Sequence, residues 1–230
     1  MKIAVVPARG GSKRIPGKNT RELNGVPAII DTLNKLKNSN LFDKILVSTD
    51  NELIADISSS TLFTEIIWRP SQLADDFTTT VEVIAHAITA YEDLHQQSTD
   101  FTCCVYPVNP FLRIDDLSMG LERIMKTACN YVNPVVKYPY PIQRSLVFDE
   151  DGILDFANPE YVATRTQDLE ETFHDAGQWY WGRSLTWKRQ SPLLRKIEGI
   201  EIPNWRAWDI DTEQDWEMAL KLSTSMGFKN

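Results

Sequence analysis

Two separated groups of residues carry the side chains that could do chemistry. Near the start, "PARGGSKRIPGKN" (residues 7–19) combines Gly10, Gly11 and Gly17 with Ser12, Arg9, Lys13 and Lys18. Glycines let backbone N–H groups approach a ligand or take positive φ, and a serine adds a hydroxyl donor. An arginine grips two phosphate oxygens at once, whereas a lysine supplies a mobile point charge. These parts suit a triphosphate. The loop is not the Walker type, because Gly17-Lys18 is followed by Asn19 and Ser12 stands where that pattern needs its leading glycine; nor is it G-x-G-x-x-G. Near the end, Asp209 and Asp211 flank Ile210. In an extended segment over 207–211 the two carboxylates project to one side. Such a pair can hold Mg²⁺, which combines a few carboxylates with waters and substrate phosphates. The alternative is that both acids decorate a helix start, where negative charge is favourable.

Charge distribution supports the first reading of the loop. The chain has 24 Lys and Arg against 32 Asp and Glu, yet residues 1–21 carry six basic residues and no acid. The remainder, with 18 basic and 32 acidic residues, is strongly negative. An acidic surface argues against nucleic acid, while a focused basic loop suits a small polyanion held at one point. Other polar residues are weaker candidates. His86 and His95 sit in a helical pattern without partners at metal-ligand spacing, and His174 lies between Phe173 and Asp175 in an aromatic segment. There is no Cys/His cluster for zinc and no G-x-S-x-G elbow. Cys103, Cys104 and Cys129 suggest no disulfide framework and are expected as buried free thiols.

The elements that must position these groups alternate. Short apolar runs at 2–7, 44–49, 65–68, 101–106 and 131–137 read as strands covered on both faces. Between them, Ile84, Ala87, Ile88, Tyr91 and Leu94 recur at helical spacing, as do Leu117, Leu121, Ile124, Met125 and Ala128. Alternating strands and helices predict a parallel sheet with helices on both faces and ligands beyond the strands' carboxyl ends, where the basic loop falls. The alternation fails between 139 and 182. There "RSLVFDEDGILDF" reads as a hairpin about an Asp-Gly turn, an arm spanning about 139–172. Thr212 and Asp215 form a capping-box pattern ahead of Trp216, Ala219 and Leu220. The 230 residues fit a single domain, 1–230, with this inserted arm. With no apolar run long enough to span a bilayer and too short an apolar start for a signal peptide, a soluble cytoplasmic protein is expected.

Taken together, "PARGGSKRIPGKN", "VSTD" (47–50), "RP" (69–70) and "DIDT" (209–212) resemble the CMP-acidic-sugar synthetases, the cytidylyltransferases for sialic acid and its relatives. "YPYPIQRSL" (138–146) and "TRTQDLEETFHDAGQWYWG" (164–182) are similar to the pseudaminic acid branch. The resemblance covers nearly the whole chain. It implies an α/β, three-layer, Rossmann-like nucleotidyltransferase fold with a mostly parallel sheet, whose hairpin serves as a dimerisation arm. It also implies transfer of CMP from CTP to the anomeric hydroxyl of a nine-carbon 2-keto sugar acid, with Mg²⁺ and release of pyrophosphate, for glycan biosynthesis such as flagellin glycosylation.

Residue by residue, the resemblance implies that Arg9, Lys13 and Lys18 serve catalysis and that Ala8, Arg9, Gly10, Ser12, Lys13, Lys18, Asn19 and Arg69 hold the nucleotide. Asp209 and Asp211 would bind the metal. Arg165 would meet the sugar carboxylate, and Tyr106, Gln143, Arg144, His174, Asp175, Gln178 and Tyr180 are candidate sugar contacts. One departure concerns the sugar. Where sialic acid enzymes resemble "LQPTSPLR", this chain reads "VYPVNPFLR", with Tyr106, Val108 and Asn109 in place of Gln, Thr and Ser. Val108 also departs from the threonine of the pseudaminic branch. Sialic, legionaminic and Kdo acids are the alternative substrates, and a catalytically silent nucleotide-binding regulator is the alternative outside enzymes.

Overall fold

The computed structural model describes residues 1–12, 14–61 and 63–226. Its central strand β1 (Lys2–Pro7) leads through the basic loop to a small hairpin, β2 (Glu22–Leu23) and β3 (Val26–Pro27), and into helix α1 (Ala28–Ser39). Next come β4 (Lys44–Thr49), α2 (Glu52–Ser59), β5 (Thr64–Trp68), α3 (Thr80–His95), β6 (Phe101–Val105), α4 (Ile114–Lys126) and β7 (Tyr131–Lys137). A separate hairpin, β8 (Leu146–Phe148) and β9 (Leu154–Phe156), precedes β10 (Phe173–Asp175) and β11 (Trp179–Arg183). The chain closes with α5 (Ser184–Lys188), β12 (Ile197–Glu201) and α6 (Glu213–Ser225).

The sheet runs β10-β7-β11-β6-β1-β4-β5, with β12 also paired to β7. Strands β6, β1, β4 and β5 are mutually parallel, whereas β11 lies antiparallel between β6 and β7. The sheet is therefore mostly parallel, with β10 and β11 reversed.

Side-chain alternation along β1 divides the core into two layers. Ala4 and Val6 pack with Ile29, Leu33 and Leu36 of α1 and Leu117, Leu121 and Ile124 of α4. Ile3 and Val5 face the other way, toward Val81, Ile84, Ala87 and Ile88 of α3 and Trp187 of α5. Helices thus cover both faces, as the apolar runs predict. Gly120 lets α4 approach closely, since a Cβ there would lie 2.6 Å from the Trp179 ring. Leu94 and Met125 are exceptions to the expected stripes: both are exposed, in the last turns of α3 and α4. Cys103 and Cys104 are buried free thiols, while Cys129 is only partly covered.

A third apolar cluster ties the chain's two ends together. It joins Ile15 of the basic loop, Leu23, Ala28 and Phe111 with Ile210, Trp216 and Ala219. Burying such side chains contributes about 1.5–3 kcal/mol each, so the loop and the 209–211 segment are fastened by ordinary hydrophobic packing. The capping box of α6 forms as expected, with Thr212 accepting from the Asp215 N–H and Asp215 from the Thr212 N–H. Leu220 remains partly exposed on that helix.

The β8–β9 hairpin forms a sheet of its own around Gly152, whose φ of 78° suits only glycine without strain. Its apolar residues, Phe148 and Ile153 among them, are exposed. Among the described residues, no helix is long and apolar enough to cross a membrane.

Candidate active site

Beyond the carboxyl ends of β1 and β6 lies a cavity of about 590 Å³, and both groups singled out by residue type line it: Arg9, Ser12, Lys18 and Asn19 from the loop, Asp209 and Asp211 from the other end of the chain. The loop owes its shape to internal bonds. The Lys18 N–H donates to the Ile15 carbonyl at 3.1 Å, and the Thr20 and Arg21 N–H groups donate to Gly17, which has φ of 66°. Ile15 is fully buried, which anchors the loop's underside while its cations face the cavity.

Gly10 packs against the start of α2. Its N–H donates to Asp50 Oδ1 at 2.9 Å, and a Cβ there would lie 2.7 Å from the Asn51 side chain. Asn51 in turn caps α2 by accepting from the Ile54 N–H. Asn19 is buried and braces the loop: its Nδ2 donates to the Arg9 carbonyl at 3.0 Å, and its own carbonyl accepts from Ile29. Arg9 Nη1 donates to the Asp75 carbonyl at 2.9 Å and to Asp76 Oδ1 at 2.7 Å. Lys13, a candidate for catalysis and nucleotide binding, lies outside the described residues.

The carboxylates meet the loop directly. Arg14 Nη1 is 2.8 Å from Asp211 Oδ2, and Lys18 Nζ is 3.5 Å from Oδ1. Residues 207–211 form no strand, yet Ile210 points into the core and the two acids line the cavity, as alternation predicts. Neither acid is the helix cap; Thr212 takes that role, and Asp215, the third residue of the helix, completes the box by accepting from the N–H groups of Asp211 and Thr212. Asp209 is exposed by surface area, yet partial desolvation at the cavity wall, and after it the Asp211 charge, push its pKa up. Lys18 and Arg14 oppose this shift, but more weakly than burial and the neighbouring carboxylate raise it. Among the described residues no group of three or more His, Cys, Asp or Glu is placed to hold a metal ion. Two carboxylates completed by phosphate oxygens and waters fit Mg²⁺.

Arg69 lies in an adjoining recess of about 210 Å³ that shares Pro7, Arg9, Asp76 and Tyr106 with the main cavity. Its guanidinium is held by the Ser48 carbonyl at 2.9 Å, and burial, the dominant effect, lowers its pKa. Ala8 is fully buried and its N–H is spent on the Ser48 carbonyl at 2.9 Å.

The candidate sugar contacts divide. Tyr106 and Gln178 line the cavity. Tyr106 shares a 2.9 Å hydrogen bond with Thr80, and burial pushes its phenol pKa up. Tyr180 does not reach the cavity: it is buried in the core, packs edge-on to Tyr106, and donates its hydroxyl to Asp175. The structure thus places Tyr180 in the core rather than among the residues lining the cavity. Asp175 is occupied by Tyr180 and by Asn133 Nδ2 at 2.9 Å, and His174 packs on Tyr138 with Nδ1 beside the Asp175 carbonyl; neither lines the cavity. Gln143, Arg144 and Arg165 belong to the exposed arm, also away from the cavity of their own chain. There Arg144 donates to Thr166 and Arg165 pairs with Asp168 at 2.7 Å.

Residue types alone did not single out Arg14, Asp76 or Trp208, all of which line the cavity. Nor did they reveal the buried pair Arg206–Asp116. Arg14 at least lay within a recognisable motif; Asp76 and Trp208 carried no signal.

A cation-rich loop and two carboxylates share one cavity at the edge of a mostly parallel sheet, an arrangement suited to a nucleotidyltransferase. The comparisons agree. Residues 3–195 match the family model described as "Cytidylyltransferase". The chain is 31% identical, over 94% of each sequence, to a pseudaminic acid cytidylyltransferase of Campylobacter jejuni, and 27% identical, over 96% and 95%, to a CMP-N,N'-diacetyllegionaminic acid synthase of Legionella pneumophila. In fold it is similar to a CMP:2-keto-3-deoxy-manno-octonic acid synthetase complexed with CTP, with a TM-score of 0.69 at 16% identity over 98% and 99% of the two chains. The chain belongs to the cytidylyltransferase family, among its CMP-acidic-sugar synthetases, and is a nucleotidyltransferase enzyme.

Proposed function

We propose that this enzyme transfers CMP from CTP to the anomeric hydroxyl of a nine-carbon 2-keto sugar acid, pseudaminic acid foremost, releasing pyrophosphate in a Mg²⁺-dependent reaction. The observation that carries this reading is the convergence of Lys18 and Arg14 on Asp211 at the cavity wall. The Campylobacter relative's name supports the choice of sugar.

In this reading Asp209 and Asp211 hold the metal, which when bound supplies a Lewis acid for phosphate oxygens. Arg9, Lys18 and Arg14 orient the triphosphate and balance the charge that builds on the departing pyrophosphate, and Lys13 joins them from the same loop. Phosphoryl transfer depends mostly on such positioning and electrostatic stabilisation. The Ser12 hydroxyl and the Gly11 N–H add donors, the Gly10 N–H being committed to Asp50. Asn19 contributes by bracing the loop, and Arg69 with the Ala8 carbonyl forms the cytosine side. Tyr106 and Gln178 lie on the sugar side.

The arm extends this reading to a homodimer. Gln143, Arg144 and Arg165 sit on an exposed excursion bearing Tyr140, Phe148 and Ile153, apolar surface that a second copy would cover. From there Arg165 would approach the partner's sugar pocket. Both substrates are soluble metabolites, which fits a cytoplasmic enzyme. The test is pyrophosphate release from CTP and Mg²⁺ with pseudaminic, legionaminic, sialic and Kdo acids in parallel. Fastest turnover of pseudaminic acid supports the assignment; a faster rate with any other acid reassigns the substrate.

A further inference from the structure

Gln178 is 4% exposed, lies in the cavity wall, and has one amide atom, Oε1, without a partner. Everything else about it is fixed. Its backbone carbonyl accepts from the Tyr106 N–H at 3.0 Å and from Asn109 Nδ2 at 3.3 Å. Its Nε2 donates to the Arg206 carbonyl at 2.5 Å. That contact settles which end of the amide is which, because an amide oxygen would repel the carbonyl. Arg206 is itself immobilised: its guanidinium is buried, paired with Asp116, and donates to the Phe111 carbonyl at 3.3 and 3.4 Å. A buried ion pair of this kind is weak support for stability, but it holds the Arg206 carbonyl in one place. The chain therefore aligns Gln178 tightly and leaves an acceptor unpaired, an arrangement that disfavours the empty site and rewards a matching donor.

The topology says which substrate brings that donor. Gln178 precedes β11, which lies beyond β6 from β1, whereas Arg69 follows β5 on the opposite flank. At about 4.8 Å per strand, the Gln178 wall is set off by about 10 Å from the strand that bears the basic loop, on the side away from Arg69. Resting on the functional reading above, we propose that Gln178 is a specificity-determining residue whose amide oxygen accepts a hydrogen bond from a neutral N–H or O–H donor of the acceptor sugar acid, with Arg206 and Asp116 as its positioning residues. A site built around such a bond discriminates strongly against an acceptor lacking the donor.

The experiment is a cycle between protein and substrate. Gln178→Met keeps length and apolar bulk but removes the acceptor. Steady-state kinetics are measured for the wild type and the variant with the parent sugar acid and with analogues in which each acylamino N–H or hydroxyl is removed in turn. The expected result is a roughly 10- to 100-fold fall in kcat/KM for the parent acid in Gln178→Met, with the KM for CTP unchanged. One analogue should show the same loss in the wild type and no further loss in the variant. Gln178→Asn, which withdraws the amide by one methylene, serves if the methionine variant fails to fold, and the same pattern is expected of it. Independent losses for every analogue, or a rise in the KM for CTP instead, would overturn the assignment while leaving the enzymatic reading intact. Absence of turnover by the wild type with every acid would overturn both.

Discussion

Lys18 and Asp211 are 193 residues apart in the chain, yet the lysine ammonium lies 3.5 Å from the aspartate carboxylate. Their neighbours Ile15 and Ile210 explain why. Both isoleucines are buried in one apolar cluster, so packing beneath the cavity sets the distance between charges above it. The site is assembled by hydrophobic contact between the two ends of the chain, and its electrostatics follow.

Asp211 is the shared partner of Arg14 and Lys18, and the proposed metal ligand. Asp211→Asn is expected to raise the Mg²⁺ concentration needed for half-maximal rate and to lower kcat by about 100-fold or more, in keeping with loss of a group that organises charge at the reacting phosphate. A Mg²⁺ titration of the rate checks this; an unchanged titration removes Asp211 from the metal site.

Asp209 gives a pH-dependent prediction of known sign. Its pKa is raised, chiefly by burial, so the folded state binds the proton more tightly than the unfolded chain does. Stability from this group is therefore fully kept at acid pH and is lost as pH rises from the ordinary carboxyl range through the elevated folded value. Asp209→Asn should accordingly raise the Tm at pH 7 without Mg²⁺, with the gain shrinking toward pH 4. Thermal melts of both proteins across that range measure it, and a variant less stable than the wild type at pH 7 would contradict it.

Tyr180→Phe separates core from contact. The hydroxyl is enclosed and spent on Asp175, so its removal should cost about 1–2 kcal/mol of stability. The KM for the sugar acid should stay within about twofold. Chemical denaturation with parallel kinetics tests both; a large rise in sugar KM at unchanged stability would restore Tyr180 to the substrate pocket.

The arm prediction concerns assembly. Phe148 is 72% exposed on the β8–β9 hairpin. A charge placed there by Phe148→Asp should shift a dimer to monomer in analytical ultracentrifugation and reduce kcat/KM for the sugar acid more than for CTP. A wild type that sediments as a monomer at micromolar concentration would exclude the dimeric arm.

How far the sequence could be read follows from where each signal lies. β1 and the loop after it were legible because an apolar run ending in glycines and cations is a local pattern, and the Asp209-Ile210-Asp211 triplet carries its own alternation. β11 was not. Trp179, Tyr180 and Trp181 are all buried, on both faces of the sheet, so no alternation marks them as a strand, and nothing local says that β11 inserts antiparallel between β6 and β7. Short elements such as α5 and β12, five residues each, left too brief a period to detect. In the site, Asp175 and Tyr180 were candidate ligand contacts through the family resemblance of their segment alone. Their partners are supplied by neighbouring strands: Asn133 from β7 meets Asp175 across a strand pairing no sequence window contains. Arg14 was overlooked for a related reason, since burial of Ile15 decides which side of the loop its neighbour shares with Asp211.

The central claim is that this cavity joins CTP to a nine-carbon sugar acid. The most direct measurement is a stoichiometric turnover with CTP, Mg²⁺ and pseudaminic acid, with both products identified by mass spectrometry and phosphorus NMR. One CMP-sugar formed for each pyrophosphate released is the predicted result. Pyrophosphate released without a CMP-sugar, or CTP left intact with every sugar acid supplied, would contradict it.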